Sequence, residues 1–287
     1  MLGRVIFPYL YISLTGVIFS CASKNDVQPD NYLNRAKELI QTQQFQKAKL
    51  CVDSIRIKFP KNFDKIREGL DVMREINFAE QKRNVVFCDS MLKIRQDELS
   101  TTQKDFVFEK NAEYESIGHY VYKTQRSENN MGKTFLQTKV DEKGNLILTS
   151  YYSGSRALNH TSLRVRSNDG AYAESLAVPR DGALNYSFKD NGTNYEIVRF
   201  NKKAENGIVN FILSHENEPV ILTLMGGNPK SYNVSANDKR AMKAASELSV
   251  ILTDINRLLN EIRLSQAKLD YIYQKQEAVG TKNDSNI

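Results

Sequence analysis

Tryptophan is absent from this 287-residue chain, and cysteine and histidine occur only three times each. Without tryptophan there is no Cys…Trp…Cys signature, so membership of the immunoglobulin family proper has no support. His119, His160 and His215 stand far apart and no Cys-x-x-Cys occurs. A metal site needs ligands at close, regular spacing, so neither a metal nor any other cofactor is expected. Also missing are the G-x-S-x-G elbow, H-E-x-x-H, the P-loop and the dinucleotide fingerprint. The adjacent pairs Asp141-Glu142 and His215-Glu216 do not replace them, because neighbours in a strand or turn point to different faces and such pairs are ordinarily solvated. The expectation is a protein that is not an enzyme. Basic residues are not gathered anywhere: residues 22–110 carry 17 against 14 acidic, and no four stand together. Nucleic-acid binding needs cations along one face, so no nucleic acid is expected despite a net charge of +6.

A bilayer-spanning run is lacking too. The apolar stretch Val5 to Phe19 covers 15 residues, short of the roughly 20 that a spanning helix needs. It follows one positive charge, Arg4, and is followed by polar Ala22-Ser23-Lys24-Asn25-Asp26, which is the anatomy of a cleaved signal. The residues at the junction, Ile18-Phe19-Ser20-Cys21, resemble a bacterial lipobox. The resemblance implies removal of residues 1–20 as a lipoprotein signal peptide, acylation of Cys21 (palmitate among the chains) and anchoring in a membrane by that lipid. Residues 21–30 then form a polar tether. Ala22 follows the cysteine, where enterobacterial lipoproteins retained at the inner membrane commonly carry Asp. By that resemblance the location is the outer membrane of a Gram-negative bacterium, on either its periplasmic or its cell-surface side. Cys51 and Cys88 remain, and an oxidising compartment permits a disulfide between them; two buried small apolar residues are the other reading.

The mature sequence divides by pattern. Residues 31–110 contain almost no glycine and repeat apolar residues at three and four, which is helical. Asn31 to Thr42 and Phe45 to Lys58 read as two helices, stopped by Phe59-Pro60. Tyr32, Ala36 and Leu39 facing Ala48, Val52 and Ile55, with Pro60 closing the unit, resemble a single tetratricopeptide-like hairpin. No second copy follows, and one unit is too few for a solenoid. Phe63 to Lys104 reads as a long helix. Residues 237–276 read as another, with a coiled-coil-like seam of Ala245, Leu248, Leu252, Ile255, Leu259, Ile262, Leu269 and Tyr273, broken at Gln266. Its expected partner is Ile66, Leu70, Met73, Phe87, Met91 and Ile94 in antiparallel pairing; a homo-oligomeric coiled coil is the alternative. Residues 277–287 are expected to form a flexible tail.

Between the helices, residues 111–236 hold nine or ten short alternating segments with dense turn signals, among them Ile208–Ser214. No helix is expected to interrupt them, so the sheet is expected to be antiparallel. The fold class is therefore α+β, with N-terminal helices and a long C-terminal helix flanking a β-sandwich of jelly-roll or immunoglobulin-like kind. One stretch combines tyrosines, an arginine, an amide and an imidazole at a strand end and the loop after it: Tyr151, Tyr152, Arg156, Asn159 and His160. Aromatic faces beside hydrogen-bonding groups suit sugars, so these five are the candidate binding residues. Alternation sends only one of the two tyrosines to the surface. The whole plan resembles bacterial envelope lipoproteins, many of them uncharacterised. The expected function is a membrane-anchored scaffold or protein-interaction module with other envelope proteins as partners. The alternative is a lipoprotein that binds a glycan or another cell-surface molecule through its β-sandwich.

Overall fold

The computed structural model describes residues 28–284 except 112 and 114. Ile18 to Cys21, the residues that resemble a lipobox, lie outside the described residues. The chain forms two compact units, one up to Glu80 and one from Gln81.

In the first unit, α1 (Pro29–Gln41) and α2 (Phe45–Lys58) form a helical hairpin, followed by the start of α3 (Phe63–Thr102). Pro29 suits the first turn of α1, where its missing N–H has no partner to lose. Leu33, Ala36 and Leu39 meet Phe45, Ala48, Val52 and Ile55 in one core, joined by Val72 and Ile76. Ala36 and Ala48 are fully buried, which is how the two helices approach so closely. The expected inner face holds: Tyr32 packs on it half-buried, and Leu33 joins it. Gly69 serves the same purpose for α3: a Cβ there would stand 3.3 Å from the Val52 side chain. Ile66 and Met73 pack on this hairpin core, while Leu70 is largely exposed.

The second unit holds two antiparallel sheets. Its strands are β1 (Phe106–Glu109), β2 (His119–Tyr122), β3 (Phe135–Asp141), β4 (Leu146–Gly154), β5 (Ser162–Arg166), β6 (Tyr172–Glu174), β7 (Asn185–Asp190), β8 (Thr193–Phe200), β9 (Ile221–Met225) and β10 (Lys230–Asn233). The larger sheet runs β1-β2-β3-β4-β8-β7 and the smaller β10-β9-β5-β6. Leu136, Leu148 and Val198 of the first share one core with Leu163, Val165 and Leu222 of the second. Beyond the end of β2 the ladder is continued by a side chain. Gln125 donates to the Leu136 carbonyl at 2.5 Å and accepts from the Thr138 N–H at 3.0 Å.

Two expectations fail here. The segment Ile208–Ser214 is a helix, α5, preceded by the short α4 (Lys202–Glu205), so helices do interrupt the strands. A strand would have put Asn210 on one face with Ile208 and Ile212. The helix instead buries Ile208, Val209 and Ile212 together and turns Asn210 outward. A seven-residue apolar run is ambiguous between the two periods. Conversely, Phe106–Glu109 is not helical but an edge strand paired with β2. Its Phe-Val-Phe composition was the available signal.

The last helix, α6, spans Ala236–Asp284, past residue 276 and into the stretch expected to be a tail. It serves two partners on two faces. Ala245, Leu248 and Leu252 pack on Phe106 and Val140 of the larger sheet. From Ile251 onward, the face carrying Ile255, Leu258, Ile262, Ser265, Leu269 and Ile272 is turned inward, at the alternating four–three spacing of a seam. Within this unit α6 runs antiparallel to α3: Asn84 donates to Ser265 Oγ at 2.7 Å, and Arg95 pairs with Asp254 at 2.9 Å. Leu259 and Tyr273, expected in the seam, lie half-exposed beside it, and so do Phe87 and Ile94 of α3. Met91, also expected there, is partly buried, and Cys88 and Leu92 join it on the inner side. Cys51 and Cys88 are both free.

The β3–β4 turn docks on α6. Asp141 is buried rather than solvated, and accepts from the backbone of Lys143 and Asn145. Ser249 Oγ donates to the Gly144 carbonyl at 2.5 Å. Gly144 has φ +85°, and a Cβ there would lie 2.6 Å from Thr253 N and 2.8 Å from Ser249 O. Both are backbone atoms that cannot swing away. Gly144→Ala is expected to lower stability in chemical denaturation by roughly 2 kcal/mol; an unchanged midpoint would show that the turn does not rest on the helix.

Candidate functional site: an aromatic cleft

Four strands of the larger sheet put aromatic side chains on one face. Register aligns Phe135, Tyr151, Ile197 and Tyr186 in a row across β3, β4, β8 and β7, with Tyr195 opposite Phe188 in the next row. Phe135 and Tyr151 stack with centroids 4.8 Å apart and planes at 9°; Phe188 and Tyr195 do so at 4.9 Å and 12°. These rings and Met131 line a cleft of about 250 Å³ whose polar members include Asn130, Lys133 and Asp190. Phe188 is 50% exposed and Met131 81%. A mostly apolar concave lining with a few polar groups is the ordinary form of a ligand site. Burial raises the Tyr151 phenol above its usual value, against a hydrogen bond with Ser127. Its hydroxyl also donates to Gln137 at 3.2 Å.

One wall of the cleft is the segment between β2 and β3, which is held by its own bonds. The Asn130 amide donates to the carbonyls of Thr124 and Arg126, and Lys133 Nζ to that of Asn129. On the other side lies a second cleft of about 640 Å³, lined by Asn129, Thr134, Asn233, Ser235 and Asn237 among others. The two share Asn130, Lys133 and Phe135. Tyr232 also lines this second cleft, but its hydroxyl is buried and has no hydrogen-bond partner among the described residues. Burial and then Asp238 push its phenol far up, and burial raises the Asp238 carboxyl as well.

Of the five residues expected to form a binding rim, Tyr151 and Tyr152 line the cleft, and Arg156, Asn159 and His160 do not. Tyr152 is a core residue whose hydroxyl donates to the Arg156 carbonyl at 2.6 Å. His160 is 1% exposed. Its ring contacts Glu196 Oε2 at 2.6 Å through Nδ1 and Ser150 Oγ at 2.7 Å through Nε2. Glu196 also accepts from the backbone N–H groups of Leu158, Asn159 and His160. Burial alone would raise the Glu196 carboxyl, but the bonds from His160 and Asn159 reverse this and hold it at about 2. Asn159 sits at φ +55°, with its side chain accepting from Arg180. Arg156 is exposed, but the loop around it is fastened: Asn228 donates to the carbonyls of Leu158 and Ala157. The five residues therefore do not share one surface.

Ser150, His160 and Glu196 have the connectivity of a hydrolase triad. Ser150 is fully buried between neighbouring strands of the sheet, and none of the three lines either cleft. What the arrangement does is fasten the 155–161 loop to β4 and β8. Among the described residues no three His, Cys, Asp or Glu side chains gather as a metal site, and no helix is long and apolar enough to cross a membrane. No protein family, curated protein or solved structure matches the chain.

Proposed function

We propose that the chain is a non-catalytic lipoprotein of the bacterial envelope, anchored through lipid on Cys21 at the outer membrane of a Gram-negative cell, whose β region binds a ligand while its helices act as a scaffold. The observation that carries the ligand reading is the aromatic cleft of Phe135, Tyr151, Phe188 and Tyr195. The sealed Ser150–His160–Glu196 cluster supports a non-catalytic reading, since a nucleophile needs a path to its substrate. We read the two sheets, which share one core, as the layers of a β-sandwich. The β1–β4 meander departs from jelly-roll connectivity.

The ligand reading is tested by thermal shift of the detergent-solubilised protein against saccharides, phospholipids and short peptides. A ligand at 100 times its Kd stabilises by about 2.7 kcal/mol, and Tyr195→Ala is expected to remove the shift. If no class raises the melting temperature, the cleft is not a ligand site. The anchor is tested separately. Cys21→Ala is expected to abolish labelling by a clickable palmitate analogue in growing cells; equal labelling of wild type and variant would remove the anchor from the proposal.

A scaffold role draws support from a different place. Val86, Phe87 and Ile94 of α3 are each at least half exposed, although the helix has a paired inner face on which such residues could have been placed. Protein partners of the envelope are the proposed occupants of the helical surfaces.

A further inference from the structure

We infer that the ligand is an oligosaccharide of at least two pyranose units, lying across Asn130, Lys133 and Phe135 so that one unit stacks in the aromatic cleft and the next hydrogen-bonds in the polar one. The inference rests on the reading of the aromatic cleft as a ligand site, and it commits that site to one chemistry.

Three observations select it. First, the aromatic cleft sets the half-exposed Phe188 ring and Tyr195 beside the Asp190 carboxylate, with Lys133 also in its lining. A pyranose presents the complement, an apolar C–H face edged by hydroxyls. Ring stacking tolerates any flat partner and is sensitive to loss of the aromatic ring.

Second, the adjoining cleft is lined by amides and hydroxyls that an acyl chain could not satisfy. Ser235 and the Asn237 oxygen are bonded within the fold to Asp238 and Thr124, but covering the Asn233 amide and the Asn237 NH2 with hydrocarbon would still strip them of water. A chain of linked sugars meets them with donors and acceptors in kind.

Third, the charge in the two clefts does not favour an ionic ligand. The Lys133 ammonium is already held by the Asn129 carbonyl at 2.9 Å and the Asn130 amide oxygen at 3.4 Å. Asp190 and Asp238 would repel an anion. The wall between the clefts is fixed by its own hydrogen bonds. The Gln125 side chain, bonded to β3, ties it to the sheet. The two subsites are therefore preformed at a set separation.

The test is titration calorimetry of the detergent-solubilised full chain with mono-, di- and trisaccharides of one series, chosen from an array of neutral glycans, beside dodecylphosphocholine micelles and a hexapeptide. Expected results are affinity rising from mono- to trisaccharide, and a Phe188→Ala variant that melts like wild type but binds about tenfold more weakly, equivalent to about 1.4 kcal/mol. Asn237→Ala is expected to lower affinity for the trisaccharide and leave the monosaccharide unchanged. Saccharide binding indifferent to both substitutions overturns the inference. If no glycan binds but the micelles or the peptide do, in a manner lost in Phe188→Ala, the sugar chemistry is wrong and the cleft remains a ligand site. If nothing binds, both fall together.

Discussion

Replacing Glu196 by Ala is expected to lower the melting temperature by about 10 °C. The carboxylate accepts from three consecutive backbone N–H groups and from His160 Nδ1, all within 3.0 Å. Truncation leaves those donors buried without an acceptor. Each unsatisfied group costs about 1–3 kcal/mol, reduced where the loop can relax. For a body of this size each kcal/mol is worth about 2–4 °C. Ser150→Ala removes one bond at the far side of the ring and should cost about 1 kcal/mol. A Glu196→Ala variant melting within 2 °C of wild type would show that the carboxylate does not hold the loop.

The same residue makes stability depend on acid. Its carboxyl lies at about 2 in the fold against 4.5 for the free group. A depressed pKa means that the stabilisation is complete above about 4.5 and is lost as pH falls towards 2. At 1.36 kcal/mol per pKa unit the loss is on the order of 3 kcal/mol. Urea unfolding of wild type and Glu196→Gln across that window measures it, because the glutamine has nothing to titrate and its profile should be flatter.

The second large effect belongs to α6. Leu252 is 5% exposed and packs with Phe106, Val140 and Leu248. Removing a buried leucine costs about 2–5 kcal/mol, and an aspartate adds a charge in apolar surroundings. Leu252→Asp should therefore leave the second unit largely unfolded at 37 °C, seen as lost ellipticity and early proteolysis. Lys268→Asp, at an exposed position of the same helix, should melt within about 1 °C of wild type. Equal melting of the two would mean that this face of α6 is not packed.

How much could be read beforehand differs by feature. The limits of α2 were plain, since Phe59-Pro60 ends it and apolar residues repeat evenly up to that point. The seam of α6 was legible as a seam but not in register. Leucines at both 258 and 259, and apolar residues at 271, 272 and 273, allow either phase. The choice follows from a change of partner: Leu248 and Leu252 face the sheet, and the helix then offers the neighbouring face from Ile251 onward. Alternation placed one of Tyr151 and Tyr152 outside but could not say which. Nor could it show that His160 would be taken by a glutamate 36 residues away. The cleft was invisible for a related reason. Phe135, Phe188 and Tyr195 come from three strands that only the pairing order makes neighbours.

The antiparallel pairing of α3 with α6 also fixes an order of events. Asn84 and Ser265, which meet in the seam, are 181 residues apart. Closing a loop of that length costs entropy that grows with the logarithm of its length. Sheet strands joined by short turns can pair first, since local closures take microseconds. The inner side of α3 around Cys88 is covered only once α6 has come back along it. The seam is therefore expected to close after the strands between the two helices have paired, so its delay is set by the chain that separates them rather than by how well the helices fit.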